Sequence, residues 1–345
     1  MLAIPQIRLP RFRQPRYLAV LGVALGFVVC WSSGFVGSRL ALAVDTPTLS
    51  LYAWRFALAT LLAGAWALAA TGRRNGGGWR PRALGFEALV GSLTVGGYLL
   101  AMLLAIESGV SAGVAALIGA LQPLAATLLA GGLLGERPRP VQWLGLAAAT
   151  LGAGLSVVDD LQGLGSAALW AYGLPLLAVA AVSLGSVLSA GRPASLPMSV
   201  RLTAQLAAAT AVFGVAALWR GDGLPAPRPS VETLTVLAWL IVLATFGGYG
   251  FFNASLQRFG VSQSAALVAL TPAATLAATA LMFGEWPGAL GIVGMAMGLL
   301  GAGAALASGR RHGRGAGGHV ATASPTVRRK PRRVVRPSAP TTRRG

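Results

Sequence analysis

The chain has 345 residues, 55% of them hydrophobic and only 11% charged, where soluble globular domains run near about 25% charged. A soluble core cannot absorb that excess, so the composition excludes an ordinary soluble domain and indicates a polytopic membrane protein. The net charge of +19 could indicate nucleic-acid binding, but its placement argues against a folded basic groove: Arg8, Arg11, Arg13 and Arg16 precede the first hydrophobic run, and residues 309–345 hold eleven Lys/Arg and no Asp or Glu.

Ten hydrophobic segments follow in order, each near the roughly 20 residues that cross a bilayer: 17–38, 49–70, 84–106, 110–134, 140–158, 167–189, 198–219, 231–252, 261–284 and 288–307. Gly- and Pro-rich breakers such as "GERPRP" (Gly135–Pro140) and "RGDGLPAPRP" (Arg220–Pro229) separate them. A cleaved leader ending at "ALA" (Ala41–Ala43) is the competing reading of the start. The run before it is long for a leader and Arg39 intervenes, so the first segment is read as a span. With the N-terminus in the cytoplasm, 24 of the 28 Lys/Arg fall inside, three (Arg39, Arg220, Arg228) outside and Arg55 within a span. That bias fits an even number of spans and two cytoplasmic ends.

Polar groups within such spans face the bundle interior or water. In chain order the substrate-cavity candidates are Trp31, Ser33, Tyr98, Gln122, Pro123, Tyr249, Asn253, Thr271 and Pro272. Pro123 and Pro272 remove helix hydrogen bonds, and a carbonyl freed beside Gln122 or Thr271 suits a substrate amine or hydroxyl. Arg55 lies near the outer end of the second span, and Glu107 ends the third. These two are expected to touch and to shape an outer gate or outer cavity. Asp159 and Asp160 are expected in a solvated exterior loop, and Trp170 as an interfacial anchor. Cys30 is the single cysteine and His312 and His319 lie in the tail, so no disulfide, metal site or cofactor is expected. No Walker loop and no mid-membrane catalytic set appears, so an enzyme is not expected.

The chain also repeats itself at about 150 residues. "AWRFALATLLAG" (Ala53–Gly64) lies over "TAQLAAATAVFG" (Thr203–Gly214), and "LQPLAATLLAGGLLGERP" (Leu121–Pro138) over "LTPAATLAATALMFGEWP" (Leu270–Pro287). Gly145, Gly152 and Gly154 fall over Gly294, Gly301 and Gly303. Five spans per unit is an odd number, so the units are expected in opposite orientations, as inverted repeats of an all-α membrane protein. The expected divisions are 1–16, a basic cytoplasmic segment; 17–158 and 167–307, the two five-helix units; and 308–345, a basic disordered cytoplasmic tail.

With "WSSGFVGSRLAL" (Trp31–Leu42) in the first span, "RF" (Arg55-Phe56) in the second and a Pro followed by "GE" in the fourth and ninth, the sequence resembles the EamA family of the drug/metabolite transporter superfamily over about residues 17–307. The resemblance implies an inner-membrane carrier of small molecules such as amino acids, other metabolites or drugs, often an exporter. Expected partners are that small molecule, the bilayer, anionic lipid at the basic tail and a second copy in a homodimer, with no nucleic acid. A non-transporting scaffold or sensor and a membrane-embedded lipid-modifying enzyme are the alternatives. Deleting residues 312–345 is expected to leave transport largely intact. Complete loss of transport by stable, correctly inserted protein would contradict this.

Overall fold

The computed structural model describes residues 14–71, 81–126, 129, 140–163, 167–190, 192 and 195–316. Arg8, Arg11 and Arg13, the residues around Glu136, and those beyond residue 316, including His319, lie outside the described residues. Among those described, the regular elements are helical. They are α1 (Gln14–Ala41), α2 (Thr48–Thr71), α3 (Pro81–Glu107), α4 (Ala112–Ala126), α5 (Pro140–Gln162), α6 (Gly173–Ala190), α7 (Met198–Arg220), α8 (Val231–Phe259), α9 (Thr271–Phe283) and α10 (Ala289–Ala316). A 3₁₀ turn, Leu169–Tyr172, leads into α6 and leaves Trp170 exposed.

Seven of the described helices, α1, α2, α3, α5, α6, α7 and α8, are long and apolar enough to cross a membrane, while α4, α9 and the apolar part of α10 are shorter. Large apolar side chains such as Leu68 (78% exposed) and Leu281 (79%) point away from the protein. Water would penalise that arrangement and lipid favours it. The chain is therefore a multi-pass membrane protein.

Glycine and proline set the irregularities. α3 contains a π segment, Ser92–Gly97, and α8 another, Trp239–Gly247. Both end at the glycine pairs Gly96-Gly97 and Gly247-Gly248. A Cβ on Gly97 would stand 3.1 Å from the Ser92 carbonyl oxygen, and one on Gly247 3.1 Å from that of Val242. Each is the carbonyl five residues back, the acceptor in a π turn, so glycine lets the wide turn close. α4 breaks at Ala120-Leu121, just before Gln122-Pro123; the corresponding break, Ala269-Leu270, precedes Thr271-Pro272.

The boundary between the eighth and ninth predicted segments differs from expectation. Helical bonding runs on through Gly248–Val268 with no loop. Yet Ser255 donates to Ser264 Oγ over 2.9 Å, whereas nine residues of straight helix rise about 13.5 Å. The chain therefore reverses within that run, in a corner tight enough to retain helical hydrogen bonds.

Helices related by the sequence repeat also meet in space. Thr60 of α2 and Thr210 of α7 approach to 3.4 Å, while Gly64 faces Thr203, so these helices run antiparallel. In α5 and α10, Gly152 lies against Gly294 and Gly298, and Gly145 against Gly301, so close that a Cβ at Gly152 would strike the backbone of α10. Small residues permit such approach where no hydrophobic force draws helices together in lipid. Ser32 of α1 donates to the Thr271 carbonyl (3.0 Å), and Ser183 of α6 to the Gln122 carbonyl (3.4 Å).

Two polar expectations are corrected here. The backbone at the proline breaks is not simply on offer to a ligand, because Ser32, Ser183 and the Thr271 hydroxyl, which donates to Val268 O, already occupy those carbonyls. Asp159 and Asp160 are not in a solvated loop: they belong to the last turns of α5. Asp160 is 4% exposed and accepts from Ser111 N–H and Tyr172 O–H, while Asp159 accepts from Gly288 N–H. Buried carboxylates are held where such donors meet them.

Candidate functional site

A cavity of about 850 Å³ lies between α1, α3, α6, α7 and α8, with Arg55 of α2 and Gln122 of α4 completing its wall. That is within the range of sites for small organic ligands, about 300–1,000 Å³. Trp31 and Phe252 form an aromatic corner, ring centroids 5.4 Å apart, backed by Phe27 at 5.3 Å from Trp31. The cavity reaches Arg82 and Met198, where α3 and α7 begin.

The opposite ends of these helices are tied together. α3 and α7 both stop on a glycine in left-handed conformation, Gly109 (φ 95°) and Gly221 (φ 85°). Val110 N–H returns to Ala105 O, and Asp222 N–H to Ala217 O, as in Schellman caps. Those caps stop the helices where Glu107 meets Arg220. Arg220 Nη1 and Nη2 donate to the Glu107 carboxylate at 2.7 and 3.2 Å, Thr48 donates to it at 2.9 Å, and Arg220 Nε bonds Asp222 at 2.8 Å. Nearby in the sequence pattern, Arg39 at the end of α1 pairs with Glu285 beyond α9 at 2.9 Å.

Arg55 is 2% exposed and does not touch Glu107 as expected. Its Nε and Nη2 donate to Thr245 Oγ1 at 3.3 and 3.0 Å, and its guanidinium lies 4.9 and 4.7 Å from the ring centres of Tyr52 and Phe56. The reason is helix direction: Arg55 is two turns into α2, and Arg220, which the sequence left in a loop, already occupies Glu107. Thr245 sits in the π segment and donates onward to Leu240 O, five residues back. Nη1 of Arg55 is buried with no partner among the described residues.

Of the candidates read from sequence, Trp31, Tyr98, Gln122, Tyr249, Asn253 and Arg55 come together in the cavity wall. Ser33, Pro123, Thr271 and Pro272 are not among its lining residues, and Glu107 lies at the closed end. Ser33 is buried, donates to Cys30 O and lends its carbonyl to Trp239. Sequence reasoning missed Glu87, 6% exposed in α3, which accepts from Arg201 Nε (2.9 Å) and Gln205 Nε2 (2.8 Å). It falls inside the third hydrophobic segment, and an acid there is itself the signal. Gly91, one turn on, makes the contact possible, since a Cβ would collide with the Gln205 backbone. Among the described residues no three His, Cys, Asp or Glu side chains converge to hold a metal ion.

The described helices thus form a membrane bundle around an internal cavity. The EamA-like transporter family model matches residues 18–158 and 167–306, two regions that together span most of the chain, and the protein belongs to that family. Its members are transporters. No match is found among curated proteins. Of the solved structures, one titled only "Crystal structure of protein" is similar in fold, with a TM-score of 0.58, 19% identity, and coverage of 84% of this chain and 97% of that one.

Proposed function

We propose that the protein is a secondary transporter of small organic metabolites in the inner membrane, working as an exporter by alternating access between two inverted five-helix repeats. The observation that carries this reading is a ligand-sized cavity built across both family-matched regions, reaching one end of the bundle while ion pairs join helix ends at the other. The inverted relation is supported by the contacts of repeat-equivalent helices running antiparallel, Thr60 with its own counterpart Thr210, and the α5 and α10 glycines crosswise, Gly152 with Gly294 and Gly145 with Gly301. A pseudo-two-fold axis in the membrane plane produces such pairings. On this reading α4, α9 and α10 also span, giving ten spans, with both termini cytoplasmic by the arginine bias. The cavity then faces the cytoplasm, ready to load cargo for export.

The test is a cavity block. Gly34 lines the cavity, and a Cβ there meets only Ala244, at 3.9 Å. Gly34→Trp is expected to fill the space and abolish counterflow of amino acids, analogues and drugs in reconstituted vesicles while leaving the melting profile near wild type. Undiminished flux through a folded Gly34→Trp protein sinks the proposal.

A further inference from the structure

Resting on the transporter reading, we infer that the cargo is an organic anion, an apolar or aromatic body carrying a carboxylate, and that Arg55 is the group that selects its charge. Three observations lead there. The cavity wall carries four arginines, Arg55, Arg82, Arg192 and Arg201, against one acid, Glu87. Glu87 is already paired with Arg201, which balances its charge, and also accepts from Gln205. Arg55 is surrounded by neutral groups, the Thr245 hydroxyl, the side chains of Tyr52 and Tyr249 and the ring of Phe56, with Nη1 unfilled and no carboxylate paired to it among the described residues.

A permanent charge kept deep in a membrane protein without a counter-ion is costly, and such charges are normally paired. Here the missing half of the pair is supplied by the cargo. Guanidinium presents forked donors that match a carboxylate. The hydroxyl of Thr245 and the rings of Tyr52 and Phe56 hold the guanidinium in place between transport cycles without neutralising it. The aromatic corner of Trp31 and Phe252 receives the apolar body. The same feature explains why the second repeat carries Gln205 at the equivalent position: its partner Glu87 is a resident carboxylate, whereas the partner of Arg55 travels.

The experiment uses the full chain in nanodiscs of zwitterionic lipid, so that lipid anions do not compete. Binding is measured for 3-phenylpropanoate, 3-phenylpropanamide and 3-phenylpropylamine, which share one body and differ in charge. The anion is expected to bind more tightly than the amide, and the amine weakest. Arg55→Gln is expected to lose on the order of 10- to 100-fold for the anion with little change for the amide, and Arg55→Lys to recover part of the loss. Equal binding of the three by wild type, preference for the amine, or no binding of the anion overturns the inference without any variant having to fold; so does an anion preference kept by Arg55→Gln. Uptake into vesicles is followed in parallel. Selective binding with no flux leaves the anion site standing and removes the transporter reading. Flux of amide and amine equal to the anion does the reverse.

Discussion

Gly152→Leu is expected to lower the melting temperature sharply. The Gly152 Cβ position falls on the Gly294 carbonyl and, at 2.5 Å, on the Gly298 nitrogen, all backbone atoms that cannot rotate aside. Overpacking a filled site costs about 1–3 kcal/mol and occasionally more, and the branched side chain needs α5 and α10 to separate along their crossing. Against a total stability of about 5–15 kcal/mol, that is a sizeable share of the margin. The matched control is two residues away. Gly154 is exposed, with nothing within 4 Å of its Cβ position, so Gly154→Ala is expected to hold or slightly raise the melting temperature, as Ala replaces Gly in a helix. Melting curves in detergent check the pair. Equal stability of the two variants would falsify the close glycine crossing.

Glu107→Arg is expected to release the closed end of the bundle. It replaces the acceptor of both Arg220 and Thr48 with a like charge, on side chains 29% and 36% exposed across the ion pair. Partly exposed pairs are worth up to about 1 kcal/mol; adding repulsion brings the swing to roughly 1.5 kcal/mol, about tenfold in population. The readout is labelling of Ala244→Cys, a cavity position, by a membrane-impermeant thiol reagent applied from the Glu107 side, in a Cys30→Ala background. Labelling is expected to rise about tenfold in Glu107→Arg and to return toward wild type when Arg220→Glu is added. A rise that the second charge change leaves untouched dissociates Glu107 from Arg220 and removes the ion pair as the closure.

The site was partly legible for a specific reason. Aromatic and amide residues stand out in an Ala/Leu-rich span, so Trp31, Tyr98, Gln122, Tyr249 and Asn253 were found, and each lines the cavity. Ser33, Thr271 and Pro272 look equally polar or irregular on paper, yet their bonds go to neighbouring backbone or their sides are buried in packing. One step of helix rotation separates those outcomes, and a run that is apolar on every face carries no period to fix the rotation. Glu87 was overlooked because it sits near a flank rich in arginine, although burial makes it a fixed element of the wall.

Composition and the placement of Lys/Arg were enough to settle that the chain crosses a membrane many times, because hydrocarbon tolerates so few charged residues that their distribution marks the spans. The two five-span units, together with "WSSGFVGSRLAL", "RF" and the Pro followed by "GE" at repeated spacing, were enough to point to the family, because those rarer residues stand out in an Ala/Leu-rich chain. Partnership was decided only in three dimensions. Arg55 turned out to hold Thr245 rather than Glu107, and Glu107 to hold Arg220, 113 residues away. Two π segments and two Schellman caps, whose geometry depends on which carbonyl lies within reach, set the helix phase and the stopping points that bring those side chains together. A charge in a sequence has a position, but its counter-ion is chosen by the packing of helices that the sequence keeps far apart.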